Sequence, residues 1–221
     1  MNRASSLTAV ALASALALAG CGTGGEQNTD AASETTSSTA AATGAGSPSS
    51  TPSGATSGEP IAEEHNDDDV MFAQMMIPHH QQAVDMSETL LAKDDIPADV
   101  QDFAQKVIDA QGPEIERMNQ MLRTWEAPMP GEDSTSMDHG AGGMMSEEDM
   151  GMLTDAQGTD AARLYLEQMT VHHEGAVEMA QEQIEQGQNP QAVELARQVV
   201  EDQEAEITEM EQMLQELPDG S

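Results

Sequence analysis

Two adjacent histidine pairs, His79-His80 and His172-His173, each follow a methionine by three or four residues, Met76 and Met169. On a helix, side chains at those spacings have Cβ atoms within about 6 Å of each other, so imidazole and thioether can reach one ion. Thioether is a soft ligand that selects Cu(I), whereas imidazole accepts both copper oxidation states and also zinc. In an oxidising exterior compartment thiolates are lost to disulfides, which leaves Met and His as practical copper ligands. The chain has a single Cys, so neither an intramolecular disulfide nor a thiolate cluster can form. Copper is the leading expectation, with Cu(I) favoured and Cu(II) also admitted. The competing reading is packing: Met is a flexible gap-filler, and a core short of aromatics could use it for bulk. Two paired histidines in two places weigh toward a metal.

The elements that must carry these residues are helices, and they occur twice. Phe72, Met76, His79, His80, Ala83, Val84 and Met86 correspond to Tyr165, Met169, His172, His173, Ala176, Val177 and Met179 at an offset of 93 positions. A following segment repeats at an offset of 92, with Val107, Gln111, Glu114, Ile115, Met118, Met121 and Leu122 matching Val199, Gln203, Glu206, Ile207, Met210, Met213 and Leu214. Placed at helical periodicity, Phe72, Met76, His79, Ala83, Met86 and Leu90 form one seam, and His80 borders it. The second segment has an equivalent seam with Gln111 and Glu114 in its middle, and polar groups there need partners. Turns at Asp94-Asp95-Ile96-Pro97 and Gly187-Gln188-Asn189-Pro190 close each pair of helices. The fold class expected is all-α, an antiparallel four-helix bundle built from a duplicated helical hairpin. Its first hairpin spans 66–125, a Met-rich joint 126–158 and the second hairpin 159–217. Pro78 and Pro113 predict a kink or loosened turn in the first half.

Outside the repeat the chain reads as an address and a tether. Arg3 and the apolar stretch from Leu7 to Leu18 form a signal peptide over residues 1–20, too short to span a bilayer. Leu18-Ala19-Gly20-Cys21 resembles the bacterial lipobox, which makes Cys21 the expected acylated residue and the membrane, through that lipid, an expected partner. Residues 21–65, the lipidated Cys and a Ser/Thr/Ala/Gly/Pro tether, cannot bury enough surface to offset their ordering entropy. The expected location is the extracytoplasmic face of the cell membrane. With 41 acidic against 7 basic residues, a net charge of −34 and four aromatics, the chain repels phosphate backbones and lacks a base-stacking platform. Nucleic acid is therefore excluded as a partner and cations are favoured. The joint adds Met137, His139, Met144 and Met145, either a capture loop for Cu(I) or an irregular linker. His65 is a further candidate capture residue, and the acidic run Asp67-Asp68-Asp69 reads as a solvated helix start.

The blocks Met75-Met76-Ile77-Pro78-His79-His80-Gln81-Gln82-Ala83-Val84-Asp85-Met86 and Met169-Thr170-Val171-His172-His173-Glu174-Gly175-Ala176-Val177-Glu178-Met179 are each followed by a Gln-x-x-Glu-Ile-x-x-Met segment. In this, residues 66 to 217 resemble the domain-of-unknown-function 305 family. The resemblance implies a ferritin-like four-helix bundle, usually exported, with some members binding copper in copper resistance. Carried over by motif, the implied copper residues are Met76, His79, His80, Met86, Met169, His172, His173 and Met179. Glu114, Glu206, Met118 and Met210 are candidates for additional ligands or for partners of the ligands.

The function expected is sequestration or transfer of copper by a lipid-anchored protein, with a copper-donating or copper-accepting protein as partner and no enzymatic activity. Two other classes remain open. A ferritin-like metal-dependent oxidase wants a Glu-x-x-His pair in each half, and this chain offers Gln-x-x-Glu instead. A metal-free envelope interaction module would use the Met and His for packing alone.

Overall fold

The computed structural model describes residues 60–131 and 142–218, all helical or connecting chain, without a strand among them. Cys21, the tether through Glu59, Met137 and His139 lie outside the described residues. Five helices follow in order: α1 (Asp67–Leu91), α2 (Ala98–Thr124), α3 (Glu147–Asp155), α4 (Gly158–Gln186) and α5 (Pro190–Glu216). The four long ones have 25, 27, 29 and 27 residues, so each runs for about 40 Å. Helix α1 packs along α2 and α4 along α5, as the duplicated hairpin requires, and the two hairpins meet mainly through α1 and α4. Both α1 and α2 continue through their internal prolines, Pro78 and Pro113.

Helices α1, α3 and α5 start where the sequence offers a side-chain cap. Asn66 and Asp69 form a reciprocal capping box on α1, Ser146 and Asp149 form one on α3, and Asn189 accepts from the amides of Gln191 and Ala192 at the start of α5. Helix α3 is a departure from the expected irregular joint. Its box is readable as Ser146-Glu147-Glu148-Asp149, and its one fully buried side chain, Leu153, docks it onto the core. The acidic run that opens α1 is also more than a solvated helix start. Asp67 is exposed, but Asp69 is fully buried and accepts from the backbone amides of Asn66 (2.9 Å), Gln188 (3.1 Å) and Asn189 (2.9 Å) and from Gln183 Nε2 (2.6 Å). One carboxylate thus caps α1 and clasps the α4–α5 turn, neutralising amide dipoles that would otherwise be buried unpaired.

The apolar interior falls into two clusters. One contains Met86, Leu90, Phe103, Val107, Leu166, Met169 and Met210; the other contains Phe72, Met76, Met118, Met121, Leu122, Leu195 and Val199. The first draws on the C-terminal half of α1 and the N-terminal half of α4, the second on the opposite halves. Between them, at the middle of all four long helices, lies a layer of buried polar side chains: Gln111 and Glu114 on α2, Gln203 and Glu206 on α5, and the four histidines. The two halves differ in one packing detail. Tyr165 is fully buried and its hydroxyl pairs with Ser87 Oγ at 2.8 Å, while the repeat-equivalent positions are Phe72 and Ala180, both apolar. A polar pair in one half is replaced as a unit in the other, which leaves no hydroxyl unsatisfied in either.

Candidate metal centre

The helical seam fixes which histidines can meet. His79 and His172, equivalent positions in the two repeats, face each other across the α1–α4 interface with ring centroids 3.7 Å apart and planes inclined at 36°. Their neighbours His80 and His173 turn the other way by about 100°, the helical step, toward the partner helix within each hairpin. There His80 Nε2 donates to Glu114 Oε2 at 2.8 Å, and His173 Nε2 donates to Glu206 Oε2 at 2.8 Å. The glutamates in the second seam of each repeat are thereby explained, since each pairs with one His of the same hairpin, whereas neither amide atom of the buried Gln111 has a partner.

This arrangement leaves lone pairs inside the protein. Nε2 of His80 and of His173 faces the carboxylate, and Nδ1 of each is buried without a partner. His79 donates from Nε2 to the carbonyl of Gly142 at 2.7 Å, and its Nδ1 is likewise unpartnered. Neither ring nitrogen of His172 has a partner, although the residue is fully buried. Buried polar atoms are rarely left in this state, and each one without a partner costs on the order of 1–3 kcal/mol. A carboxylate on one imidazole nitrogen with the other nitrogen free is the arrangement that orients a histidine toward a metal and raises its basicity. Among the described residues no three His, Asp or Glu side chains converge as a ready-made ligand set. Imidazole nitrogens of this kind are donors for soft and borderline ions, whereas a hard ion demands many oxygens.

Burial keeps the two facing rings, His79 and His172, neutral. Burial first, then the neighbouring His80, push the pKa of His79 down to about 3, and burial with the facing His79 lowers His172 as well. A neutral imidazole is the form that binds a metal. The two His–Glu pairs are not equivalent. Lys106 reaches Glu206 at 3.7 Å and Glu209 at 2.7 Å, while its counterpart in the other half is Gln198. Burial alone would lower the Lys106 pKa, but its bonds to Glu209 and Glu206 raise it.

The candidate methionines divide around the histidine layer. Met76 and Met118 are fully buried on one side, and Met86, Met169 and Met210 are fully buried on the other, with Met210 Sδ accepting from Thr170 Oγ1 at 3.8 Å. Met179 is only partly buried. Met144 and Met145 belong to a strap that the sequence did not reveal. Residues Gly142 to Met145 cross the outside of the α1–α4 interface, beside the facing histidines. Gln82 on α1 binds Met145 through both amide ends, at 2.9 Å to its carbonyl and 2.7 Å to its N–H. Gly175, the repeat equivalent of Gln82 on α4, lies so close to the carbonyl of Gly142 that a Cβ there would collide with it. Gly142 and Gly143 take φ values of 93° and 77°, which only glycine adopts without strain. His65 is accounted for differently: its ring stacks on Trp125 at 4.9 Å, tying the segment before α1 to the end of α2.

A duplicated helical hairpin with histidines, glutamates and methionines layered at its middle defines an all-α protein whose two halves share one centre. The chain belongs to the DUF305 family, "Domain of unknown function (DUF305)", whose sequence profile matches residues 69–214. It is similar to a DUF305 fragment from Deinococcus radiodurans, at 31% identity and a TM-score of 0.63 over 72% of this chain and 100% of that one. A DUF305 protein from Streptomyces coelicolor is 34% identical, with a TM-score of 0.62 over 67% and 91% of the two chains. CopM in its Cu(I)-bound form is 31% identical, with a TM-score of 0.57 over 67% and 96%, and it has also been solved in Cu(II)-bound, Ag-bound and apo forms. Comparison with the curated proteins gives no match.

Proposed function

We propose that this chain is an extracytoplasmic copper-binding protein that sequesters copper or hands it on, held at the membrane by a lipid on Cys21 and a tether to residue 65. Its folded part is read as an antiparallel, ferritin-like four-helix bundle. The observation that carries the proposal is the set of unpartnered imidazole nitrogens on His79, His80, His172 and His173, two of them on rings oriented by Glu114 and Glu206. Copper is the cargo, with Cu(I) favoured. The imidazoles are its primary ligands, Met76 and Met169 its nearest thioethers in sequence, and Met86 and Met179 the second thioether of each repeat. Met118 and Met210 pack in the same clusters and complete the soft surroundings. The CopM structures with copper and silver support this cargo, and the Streptomyces relative, provisionally classed as secreted, supports the location. Among the described residues no helix is long and apolar enough to cross a membrane.

Binding rather than catalysis is the reading we favour. Each of Glu114 and Glu206 is committed to its own histidine, whereas an oxidase centre would need carboxylates bridging two metals. The test is a Cu(I) titration of the full-length chain carrying Cys21→Ser, against a competing chelator. Sub-micromolar binding is expected, with loss of at least about two decades of affinity when His79, His80, His172 and His173 all become Gln, a change of ~2.7 kcal/mol. Retained helicity by circular dichroism separates lost binding from lost fold. Unchanged affinity in that variant overturns the proposal, and metal-dependent oxidation of a substrate would promote the enzyme instead.

A further inference from the structure

The two halves of the repeat are covered unequally. Helix α3 lies over the face formed by the C-terminal half of α1 and the N-terminal half of α4, where Gln168 Nε2 donates to the Asp149 carbonyl at 3.0 Å and Lys93 Nζ to the Thr154 carbonyl at 2.7 Å. The corresponding face, on the N-terminal half of α1 and the C-terminal half of α4, carries a small open groove lined by Asp68, Met71, Phe72, Met75, Met179, Glu182 and Gln183. The side chains change with the cover. Met71 and Met75 stand where the second repeat has Leu164 and Gln168, and Met179 stands where the first has the fully buried Met86.

Four observations give this groove a ligand's chemistry. Three thioethers from two helices line it, and Met71 and Met75, one helical turn apart, are 38% and 37% exposed, so their sulfurs are open to an ion from solvent. Asp68 and Glu182 add negative charge beside them. Gln183 is 2% exposed, its Nε2 is taken by Asp69, and its Oε1 is buried without a partner. Met179 Sδ lies 3.3 Å from where a Cβ on Gly142 would stand, and the Gly142 carbonyl holds His79. We propose that this groove is a second, outer binding site for a soft monovalent cation, Cu(I) or Ag(I), with the sulfurs of Met71, Met75 and Met179 as its ligands. The carboxylates offset the ion's charge, and two of them are too few for a hard cation that takes six or more oxygens. The site rests on the copper reading for the identity of the cargo, but its donors are separate from the four imidazoles. Through Met179 and Gly142 it adjoins the buried histidines, as an entry or exit station would.

The experiment uses the full-length Cys21→Ser chain with ¹³C-methyl-labelled methionine, titrated with silver nitrate and followed by NMR. The methyl signals of Met71, Met75 and Met179 are expected to shift together in one binding step. They should do so equally in the variant with all four histidines changed to Gln, which separates this site from the central one. Made on that four-Gln background, where Met179 has no central site to join, the Met71→Leu/Met75→Leu variant, conservative in volume and partly exposed, should weaken that step at least tenfold and abolish the Met179 shift. Absence of shifts at Met71 and Met75 at saturating silver overturns the site, as does a Met179 shift that persists in the double-Leu variant. Groove shifts that survive while central binding proves absent would refute the histidine reading and leave the outer site standing.

Discussion

Burial holds His79 and His172 of the central layer neutral, and that has a consequence for stability. His79 has a folded pKa of about 3 against an ordinary value of 6.5, so between those pH values the unfolded chain takes up a proton that the folded chain refuses. Stability from this source is complete above about pH 6.5 and falls as pH drops toward about 3, at up to ~1.4 kcal/mol per pH unit for a fully neutral buried ring. His172 is shifted in the same direction and adds to the slope. For the metal-free chain, urea unfolding at about pH 6 and about pH 4.5 is expected to show His79→Gln losing less stability on acidification than the parent, by roughly 1–2 kcal/mol. The difference between the two proteins cancels the many carboxylates they share. Equal pH slopes would mean that His79 titrates normally. At the same scale, the repeat distinguishes its two His–Glu pairs by Lys106, which adds a positive charge beside Glu206 and has only Gln198 opposite it in the other half.

At the scale of elements, the joint between the hairpins is a structural part and more than a spacer. Helix α3 is docked by Leu153, and the strap from Gly142 to Met145 is fastened to α1 by Gln82 and seated on α4 by the absence of a side chain at Gly175. The same strap supplies the carbonyl that holds His79. Gly175→Ala adds a Cβ where the Gly142 carbonyl already stands, although alanine is the better helix former. Since backbone rather than a flexible side chain is in the way, the strap must lift, and a net loss of about 1–3 kcal/mol is expected despite the gain in propensity. Hydrogen exchange at the Met145 amide reads the effect directly: protection by Gln82 should fall by tenfold or more. Unchanged protection in Gly175→Ala would show that the strap is not seated there. The sequence showed Gly142-Gly143 only as part of a flexible stretch, because a glycine's partner across an interface leaves no mark in local periodicity.

For the whole molecule, the charge of −34 is a long-range device. A field of that sign raises the local concentration of cations and speeds their arrival, and salt screens it over a Debye length of about 10 Å at 0.1 M. Stopped-flow capture of Ag(I) should therefore slow by about tenfold between about 0.02 M and 0.5 M sodium nitrate, with the dissociation rate much less affected. An association rate independent of salt would show that the acidic surface serves solubility alone. The same charge is tolerated in the fold because the acids lie mostly on exposed helix faces, while the few buried carboxylates, Asp69, Glu114 and Glu206, each have named partners.

The sequence by itself determined the duplication, the four long helices, the seams that turn His79, His172, Glu114 and Glu206 inward, and the soft character of the donor set. These follow from periodicity and side-chain chemistry, which are local and repeat along the chain. Only the tertiary structure decided that His79 meets His172, that each glutamate pairs with the histidine of its own hairpin, that Asp69 is buried at the α4–α5 turn, and that α3 covers one half and leaves the Met71–Met75–Met179 groove open. Periodicity tells which face of a helix is buried but not what lies opposite it. Partners across an interface are set by how helices cross and by where a connecting segment crosses between them, neither of which is encoded in any one stretch of residues.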